Sequence, residues 1–134
     1  MKPNDLKFSK NHEWVGLEKQ KTSTNNEIFA YVGITFFAQK ELGDIIYFDI
    51  DSSILKQEKK KGYSFGTVEA VKTVSDLFMP VTGFVIEINQ SLISKPELIN
   101  QNPYNSWMIK IKISKISEYD NLLSFDEYKK YINY

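Results

Sequence analysis

The sequence predicts a mainly β protein, a flattened barrel or sandwich with a short helix after its first hairpin and another helix at the C-terminus. Most apolar segments are short and alternate with polar residues, which is the pattern of half-buried strands. Gly, Pro, Asn and Thr separate these segments at short intervals, as turns between strands require. The chain has 134 residues, the usual size of one domain, and we expect residues 1–134 to form it.

The first predicted elements are a hairpin and a short helix. Residues 13–18 and 27–34 alternate apolar with polar or small residues, and the polar residues 22–26 between them are predicted to turn. Thr35 is a suitable cap for a short helix that ends at Gly43. The N-terminal part of the molecule is therefore predicted to be strand, turn, strand and helix.

Three strands are predicted around Lys72, and the last two belong to a hairpin. Residues 45–50 are rich in β-branched and aromatic side chains and predict a buried strand. Residues 64–71 and 83–90 predict two more strands, with a turn at 80–83 before the second. The two halves that meet at Lys72 resemble each other loosely, which favours a hairpin over residues 63–90 with this lysine at its tip.

The last third of the chain predicts one strand and short helices. Residues 94–100 resemble a helical turn, and 107–113 alternate apolar residues with two lysines, Lys110 and Lys112, that we expect to face solvent. The tail at 117–134 has a Ser-x-x-acidic pattern at Ser117 and a second one at Ser124. The second pattern predicts a capping box with Glu127, followed by a helix with Phe125, Tyr128 and Ile132 on one face.

Composition excludes several classes of function. The chain has 17 basic and 17 acidic residues and contains no Arg, so we expect no binding to nucleic acid. It has no Cys and one histidine, His12, which argues against a thiol nucleophile and a metal centre. We also expect no signal peptide and no membrane span. These expectations favour a protein of the cytoplasm, or of the mitochondrial matrix if a transit peptide has been removed. We also expect a monomer.

Lys72 is the residue that the pattern leaves unexplained. It interrupts a small and apolar run, GTVEAVKTVSDL at residues 66–77, and the β-branched Val71 and Val74 on either side of it favour a stiff backbone. A rigid turn that exposes a single amine suits an enzyme that acylates lysine. On the residues alone, a solvated lysine of no special function is the other interpretation.

Other chemistries have less support. No G-x-S-x-G motif accompanies His12, so a hydrolase triad is not indicated, and no glycine-rich motif predicts a nucleotide site. A Schiff base at Lys72 requires a desolvated amine, whereas Glu69 and Asp76 nearby favour its charged form.

The sequence resembles the H proteins of the glycine cleavage system, which are lipoyl carriers. The matching segments occur in the family's order over nearly the whole chain: HEW at 12–14, VGIT at 32–35, AQKELGD at 38–44, VEAVKTVSD at 68–76, PVTGFVIEIN at 80–89, KPELIN at 95–100 and NPY with WMIKI between 102 and 111. The resemblance implies the fold of biotinyl and lipoyl carriers. It also implies that Lys72 carries lipoic acid in amide linkage and that the protein is not an enzyme.

The resemblance further implies a set of partners. The lipoyl arm would take an aminomethyl group from glycine on a pyridoxal-phosphate glycine decarboxylase and deliver it to an aminomethyltransferase and tetrahydrofolate. A FAD-containing dihydrolipoyl dehydrogenase would then reoxidise the arm, and a lipoylating enzyme would attach it. Glu13 matches a family carboxylate that could hold the cationic nitrogen of the loaded arm, and Asp76 could contribute in the same way; the other interpretation of both is an ordinary surface acid. Glu69 matches an acid that could help the lipoylating enzyme recognise the hairpin.

Two alternatives to a glycine-cleavage carrier remain open from the sequence. One is a related carrier that donates or relays lipoate to other proteins through the same hairpin. The other is a β-rich interaction module that never carries lipoate.

Overall fold

Two antiparallel sheets form the framework of the computed structural model, which describes residues 1–19 and 26–133. The strands in these ranges are β1 Lys7–Phe8, β2 Glu13–Leu17, β3 Phe29–Ile34, β4 Ile45–Asp49, β5 Glu58–Lys59, β6 Ser64–Ala70, β7 Val74–Phe78, β8 Gly83–Ile88 and β9 Ile109–Ile113. A six-stranded sheet has the order β1-β2-β3-β9-β8-β5, and a three-stranded sheet has the order β4-β6-β7. The sheets do not close into a barrel, and the predicted fold class, a mainly β flattened sandwich with short helices, is confirmed.

Short helices connect and cover the strands. They are α1 Phe36–Leu42, α2 Gln90–Ser94, α3 Glu97–Gln101, α4 Ile116–Asp120 and α5 Phe125–Tyr131, with 3-10 turns at Pro3–Asp5, Ser52–Ile54 and Pro103–Asn105. The backbone N–H of Ala38 donates to Thr35 Oγ1 at 3.1 Å, and Gly43 follows α1 with a φ of +83°, a conformation that glycine adopts without strain. Both predicted ends of α1 are therefore confirmed.

The main core lies between the two sheets. Val15, Val32 and Ile111 face it from the six-stranded sheet, and Phe48 and Val68 face it from the three-stranded sheet. Each fully buried side chain of this size contributes about 1.5–3 kcal/mol relative to exposure. The hairpin of β6 and β7 is thus fixed to the rest of the molecule through its inner face.

A second, aromatic cluster lies under the C-terminal helix. Trp14, Phe8 and Tyr128 are fully buried there, and the rings of Phe8 and Tyr128 stack at a centroid distance of 4.7 Å. Ser124 and Glu127 make the predicted capping box at the start of α5. The predicted face of α5 is confirmed, because Phe125 and Ile132 pack on the same cluster as Tyr128.

Several boundaries and environments differ from those predicted. The strand over 45–50 was expected to be buried, but Tyr47 is 62% exposed and Ile46 43%, because the outer face of the three-stranded sheet is not covered by another layer of the described residues. The pattern at Ser117, from which no cap was predicted, lies inside α4, whose N-cap position is occupied by Lys115.

The hairpin itself is shorter than the range of 63–90. It spans Ser64–Phe78, because the chain changes sheets near Pro80 and β8 pairs with β9. The strand expected to reach residue 90 ends at Ile88, where Asn89 caps α2.

The turn expected at residues 22–26 lies outside the described residues except for Asn26. Within the described ranges, no helix combines the length and the apolar character that crossing a membrane requires.

Candidate functional site at the tip of the β6–β7 hairpin

Lys72 lies at the tip of a short hairpin. The last cross-strand pair joins Glu69 to Val74, and the backbone N–H of Ala70 donates to the carbonyl of Thr73 at 2.8 Å. These contacts confine the reversal of the chain to Val71 and Lys72. The tip is therefore narrow and held by backbone hydrogen bonds immediately below it.

The environment of Lys72 leaves its amine accessible. Lys72 is exposed, Val71 beside it is 77% exposed, and the ammonium has no hydrogen-bond or salt-bridge partner among residues 1–19 and 26–133. An exposed primary amine on a fixed turn suits attack on an activated acyl group. The desolvation that a Schiff-base lysine needs is not provided here.

The outer face of the three-stranded sheet continues this surface. Cross-strand pairing aligns Tyr47, Glu69 and Val74 in one row, and Asp76 lies in the next row beside Thr67. Tyr47 and Val74 are largely exposed. The row next to Lys72 is thus acidic at its centre, at Glu69, with exposed Tyr47 and Val74 on either side, and Asp76 adds a second acid in the next row.

Glu13 has a different environment from the other two acids. It begins β2 and is only 1% exposed. Ser9 Oγ donates to its Oε1 at 2.6 Å, and the backbone N–H of Phe78, the last residue of β7, donates to its Oε2 at 3.1 Å. Burial raises the pKa of Glu13 to about 7, although these two hydrogen bonds oppose the shift.

The structure therefore brings together three of the four predicted site residues. Glu69 and Asp76 lie on the same hairpin as Lys72, whereas Glu13 is at its base. Phe78 is six residues after Lys72, which corresponds to about 20 Å along an extended strand. Glu13 joins the six-stranded sheet to the hairpin in this structure, and its carboxylate is not a surface acid.

His12 belongs to a series of hydrogen-bonded polar side chains next to Glu13 in the sequence. Its Nδ1 lies 2.8 Å from the hydroxyl of Tyr128, and that hydroxyl lies 2.8 Å from Thr35 Oγ1. Burial lowers the pKa of His12, partly opposed by Glu41, and raises the pKa of Tyr128 to about 12. Among the described residues, the hydrogen-bond partner of the His12 ring is a phenol and not a serine hydroxyl, which fits a structural role.

Two contributors to the hairpin's position have no obvious signal in the sequence. The hydroxyl of Ser9 donates a hydrogen bond to Glu13, and Asn100 in α3 accepts one from the N–H of Ile45 at the start of β4. Both act through contacts between distant segments. In the described residues, no group of three or more His, Cys, Asp or Glu side chains is placed to hold a metal ion.

Comparison with known proteins places this geometry in a family. The sequence model of the family described as "Glycine cleavage H-protein" matches residues 6–134. The chain belongs to this family. The glycine cleavage system H protein of Staphylococcus carnosus is 44% identical over 131 residues, which cover 97% of this chain and 96% of the relative. That of Bacteroides fragilis is 43% identical over 132 residues, with 98% and 97% covered.

A solved structure agrees with the sequence relatives. The crystal structure of a glycine cleavage system H protein from Mycobacterium marinum superimposes with a TM-score of 0.83 at 28% identity, covering 99% of this chain and 100% of that one. The glycine cleavage H proteins are lipoyl carriers, so this chain is a carrier and not an enzyme. Its cofactor is lipoic acid on a lysine, and its partners are other components of glycine cleavage.

Proposed function

We propose that Lys72 is the lysine that carries lipoic acid, in amide linkage to its Nζ. The observation that supports this assignment is the combination of an exposed, unpartnered amine with a tip that Ala70 and Thr73 hold closed. Amide formation requires the amine to enter the pocket of another enzyme. A narrow tip that protrudes between two strands allows that entry without unfolding of the sheet.

The chain's own contribution is presentation of the cofactor. When bound, lipoic acid supplies a dithiolane that can accept and release an aminomethyl group and an electron pair. The buried inner face of the hairpin, with Val68 and Leu77, fixes the base from which the arm extends. Glu13 contributes to the same fixation through the N–H of Phe78.

We propose specific partners and a location on the same basis. The carrier would receive an aminomethyl group on a pyridoxal-phosphate glycine decarboxylase and deliver it to an aminomethyltransferase that uses tetrahydrofolate. A FAD-containing dihydrolipoyl dehydrogenase would reoxidise it, and a lipoylating enzyme would load it. These steps would take place in the cytoplasm, where the protein would act as a monomer.

Distinct roles are proposed for the three acids. Glu69 lies beside Val74 on the exposed face next to the tip, where the lipoylating enzyme must bind, and would contribute to recognition. Asp76 is exposed on the same face and could pair with the cationic aminomethyl nitrogen. Both carboxylate oxygens of Glu13 are engaged, so direct sheltering by Glu13 would require at least one of these hydrogen bonds to break.

The experiment that tests this function is a reconstituted reaction. The lipoylated protein, glycine, a bacterial glycine decarboxylase and labelled bicarbonate are mixed, and exchange of label into glycine is measured. We expect Lys72→Arg to abolish the exchange and Lys60→Arg, a change at another exposed lysine, to leave it unchanged. Exchange that persists in Lys72→Arg would contradict the assignment of Lys72.

The same assay separates the carrier from a relay. A relay protein would be lipoylated on Lys72 yet would not support decarboxylase-dependent exchange. An interaction module would be neither lipoylated nor active.

A further inference from the structure

Asn100 makes a two-point contact with the backbone of the strand beside the hairpin. The N–H of Ile45 donates to Asn100 Oδ1 at 2.8 Å, and Asn100 Nδ2 donates to the carbonyl of Ile45 at 3.0 Å. A side-chain amide that pairs with both groups of one residue imitates a neighbouring strand. Gln39 Nε2 lies 3.4 Å from Asn100 Oδ1 and supports the amide from α1.

The contacted residue is at a weak point of the three-stranded sheet. Ile45 is the first residue of β4 and pairs with Ala70, but the register shifts between Ile45 and Tyr47. This irregularity interrupts the ladder that would otherwise hold Ile45 to β6. Because the single N–H of Ile45 is used by Asn100, the end of β4 depends on α3 for its backbone hydrogen bonds.

Ala70 connects this contact to the tip. It is the last residue of β6, is 3% exposed, and packs in the main core together with Ile45. Its N–H donates to the carbonyl of Thr73 and so closes the turn that contains Lys72. A continuous series of contacts thus leads from Asn100 through Ile45 and Ala70 to the tip.

We propose that Asn100 is a positioning residue for Lys72: its amide holds Ile45 against Ala70 and thereby keeps the hairpin tip in the conformation that the lipoylating enzyme binds. This inference rests on the proposed function of Lys72. It also gives a role to the KPELIN segment at 95–100, which lipoyl chemistry by itself leaves unexplained. Asn100 does not touch the reacting amine and acts only through the backbone.

A tip without this support would remain folded but would sample more conformations. The lipoylating enzyme would then have to order the tip on binding, which weakens binding and leaves the chemical step unchanged. The expected signature is a raised KM for the carrier with an unaltered kcat. Loss of overall stability would also raise the apparent KM, because it lowers the amount of folded carrier, so the variants are compared under conditions in which both are fully folded.

Asn100→Ala is the variant that tests the inference, and Asn89→Ala is its matched control. Asn89 also makes two hydrogen bonds to backbone, from Nδ2 to the carbonyl of Trp107 at 2.7 Å and from the N–H of Ser91 to Oδ1 at 3.2 Å. It does so at the start of α2, and neither of these hydrogen bonds reaches β4 or the β6–β7 hairpin. Urea unfolding at several temperatures first identifies one at which both variants are fully folded in the absence of urea.

Two measurements are then made: the kinetics of lipoylation with a lipoate ligase, lipoate and ATP, and the hydrogen exchange of backbone amides. Asn100→Ala is expected to raise the KM for the carrier about tenfold, equivalent to about 1.4 kcal/mol, with kcat unchanged, whereas Asn89→Ala keeps the KM of the parent. Hydrogen exchange of the Ala70 amide is expected to accelerate about tenfold in Asn100→Ala, while the amide of Ile111 in the six-stranded sheet keeps its protection.

The outcomes separate this inference from the proposed function. If the parent protein is lipoylated on Lys72 and Asn100→Ala shows the KM of the parent, the positioning role is wrong and the carrier function stands. Equal rises of KM in Asn100→Ala and Asn89→Ala would also overturn it, since a general loss of stability would then be the cause. A parent that is not lipoylated on Lys72 would instead refute the proposed function.

Discussion

The outer face of the six-stranded sheet and the tip of the β6–β7 hairpin differ in the surroundings of their lysines. On the sheet, Lys110 Nζ lies 2.6 Å from Glu18 and Lys112 Nζ lies 3.4 Å from Glu27. Both lysines also lie over aromatic rings, Lys110 over Phe29 and Tyr31 and Lys112 over Phe84. They were expected to face solvent freely, but they are half-buried and paired.

The tip of the hairpin carries a cation with no partner among the described residues, and the acid that contacts the bottom of the hairpin is buried. Lys72 at the tip has no described partner, whereas the carboxyl of Glu13 at the base is enclosed by Ser9 and the N–H of Phe78. The lysines of the sheet make contacts that can stabilise the fold, whereas the lysine of the tip makes none among the described residues. The difference teaches that surroundings, and not residue type, distinguish the proposed carrier lysine from the lysines of the sheet.

The largest effect is expected at the buried base of the hairpin. The folded-state pKa of Glu13, about 7, lies above its ordinary value of 4.5. The folded protein therefore binds a proton that the unfolded chain releases, and the free energy of unfolding should fall as pH rises from about 4.5 to 7. The full decrease is roughly 3 kcal/mol, measured by urea unfolding at several pH values.

Glu13→Gln is the control for this pH dependence. An amide keeps a carbonyl oxygen for one of the two donors but does not titrate, so its stability should depend less on pH between 4.5 and 7. The lowered pKa of His12 gives a dependence of opposite sign, and the difference between parent and variant removes it. Parallel profiles for the two proteins would show that Glu13 has no raised pKa.

A smaller effect is expected from the paired lysine of the sheet. Lys110→Met keeps most of the aliphatic stem but removes the ammonium that contacts Glu18 and the two rings. We expect a loss of about 0.5–1 kcal/mol in the free energy of unfolding, seen as a lower urea midpoint at unchanged slope. Lys112→Met should cost less, because its ion pair is longer and more exposed.

The smallest effect is expected at the tip. Lys72→Met should change the free energy of unfolding by less than about 0.5 kcal/mol, because the parent ammonium has no partner to lose among the described residues. The same urea titration measures it. A cost equal to that of Lys110→Met would remove the contrast between the two regions.

Local patterns made much of the fold predictable. Alternation located the strands at Glu13–Leu17, Phe29–Ile34 and Ile109–Ile113 within two residues at each end, because residues facing a buried layer repeat with a period of two. The caps Thr35 and Ser124 were predictable because their hydrogen bonds lie within one helical turn. Lys72 was identifiable because its neighbours are apolar and because the segment resembles a known family.

Contacts between distant segments were not predictable. The burial of Glu13 depends on Phe78, 65 positions away, and the contact of Asn100 with Ile45 spans 55 positions. The exposure of Tyr47 depends on which sheet β4 joins, and sequence alternation does not contain that information. The hydrogen-bond partners of Glu13 and Ile45 were therefore not predicted, whereas the position of Lys72 at the tip of a hairpin was.

The measurement that tests the account most directly is the intact mass of the protein after incubation with a lipoate ligase, lipoate and ATP, followed by mapping of the modified peptide. The account predicts one lipoyl group, located on Lys72 and absent from Lys72→Arg, with Lys110 and Lys112 unmodified. An unmodified parent, with a ligase proved active on another acceptor, or a lipoyl group on a different lysine, would contradict it.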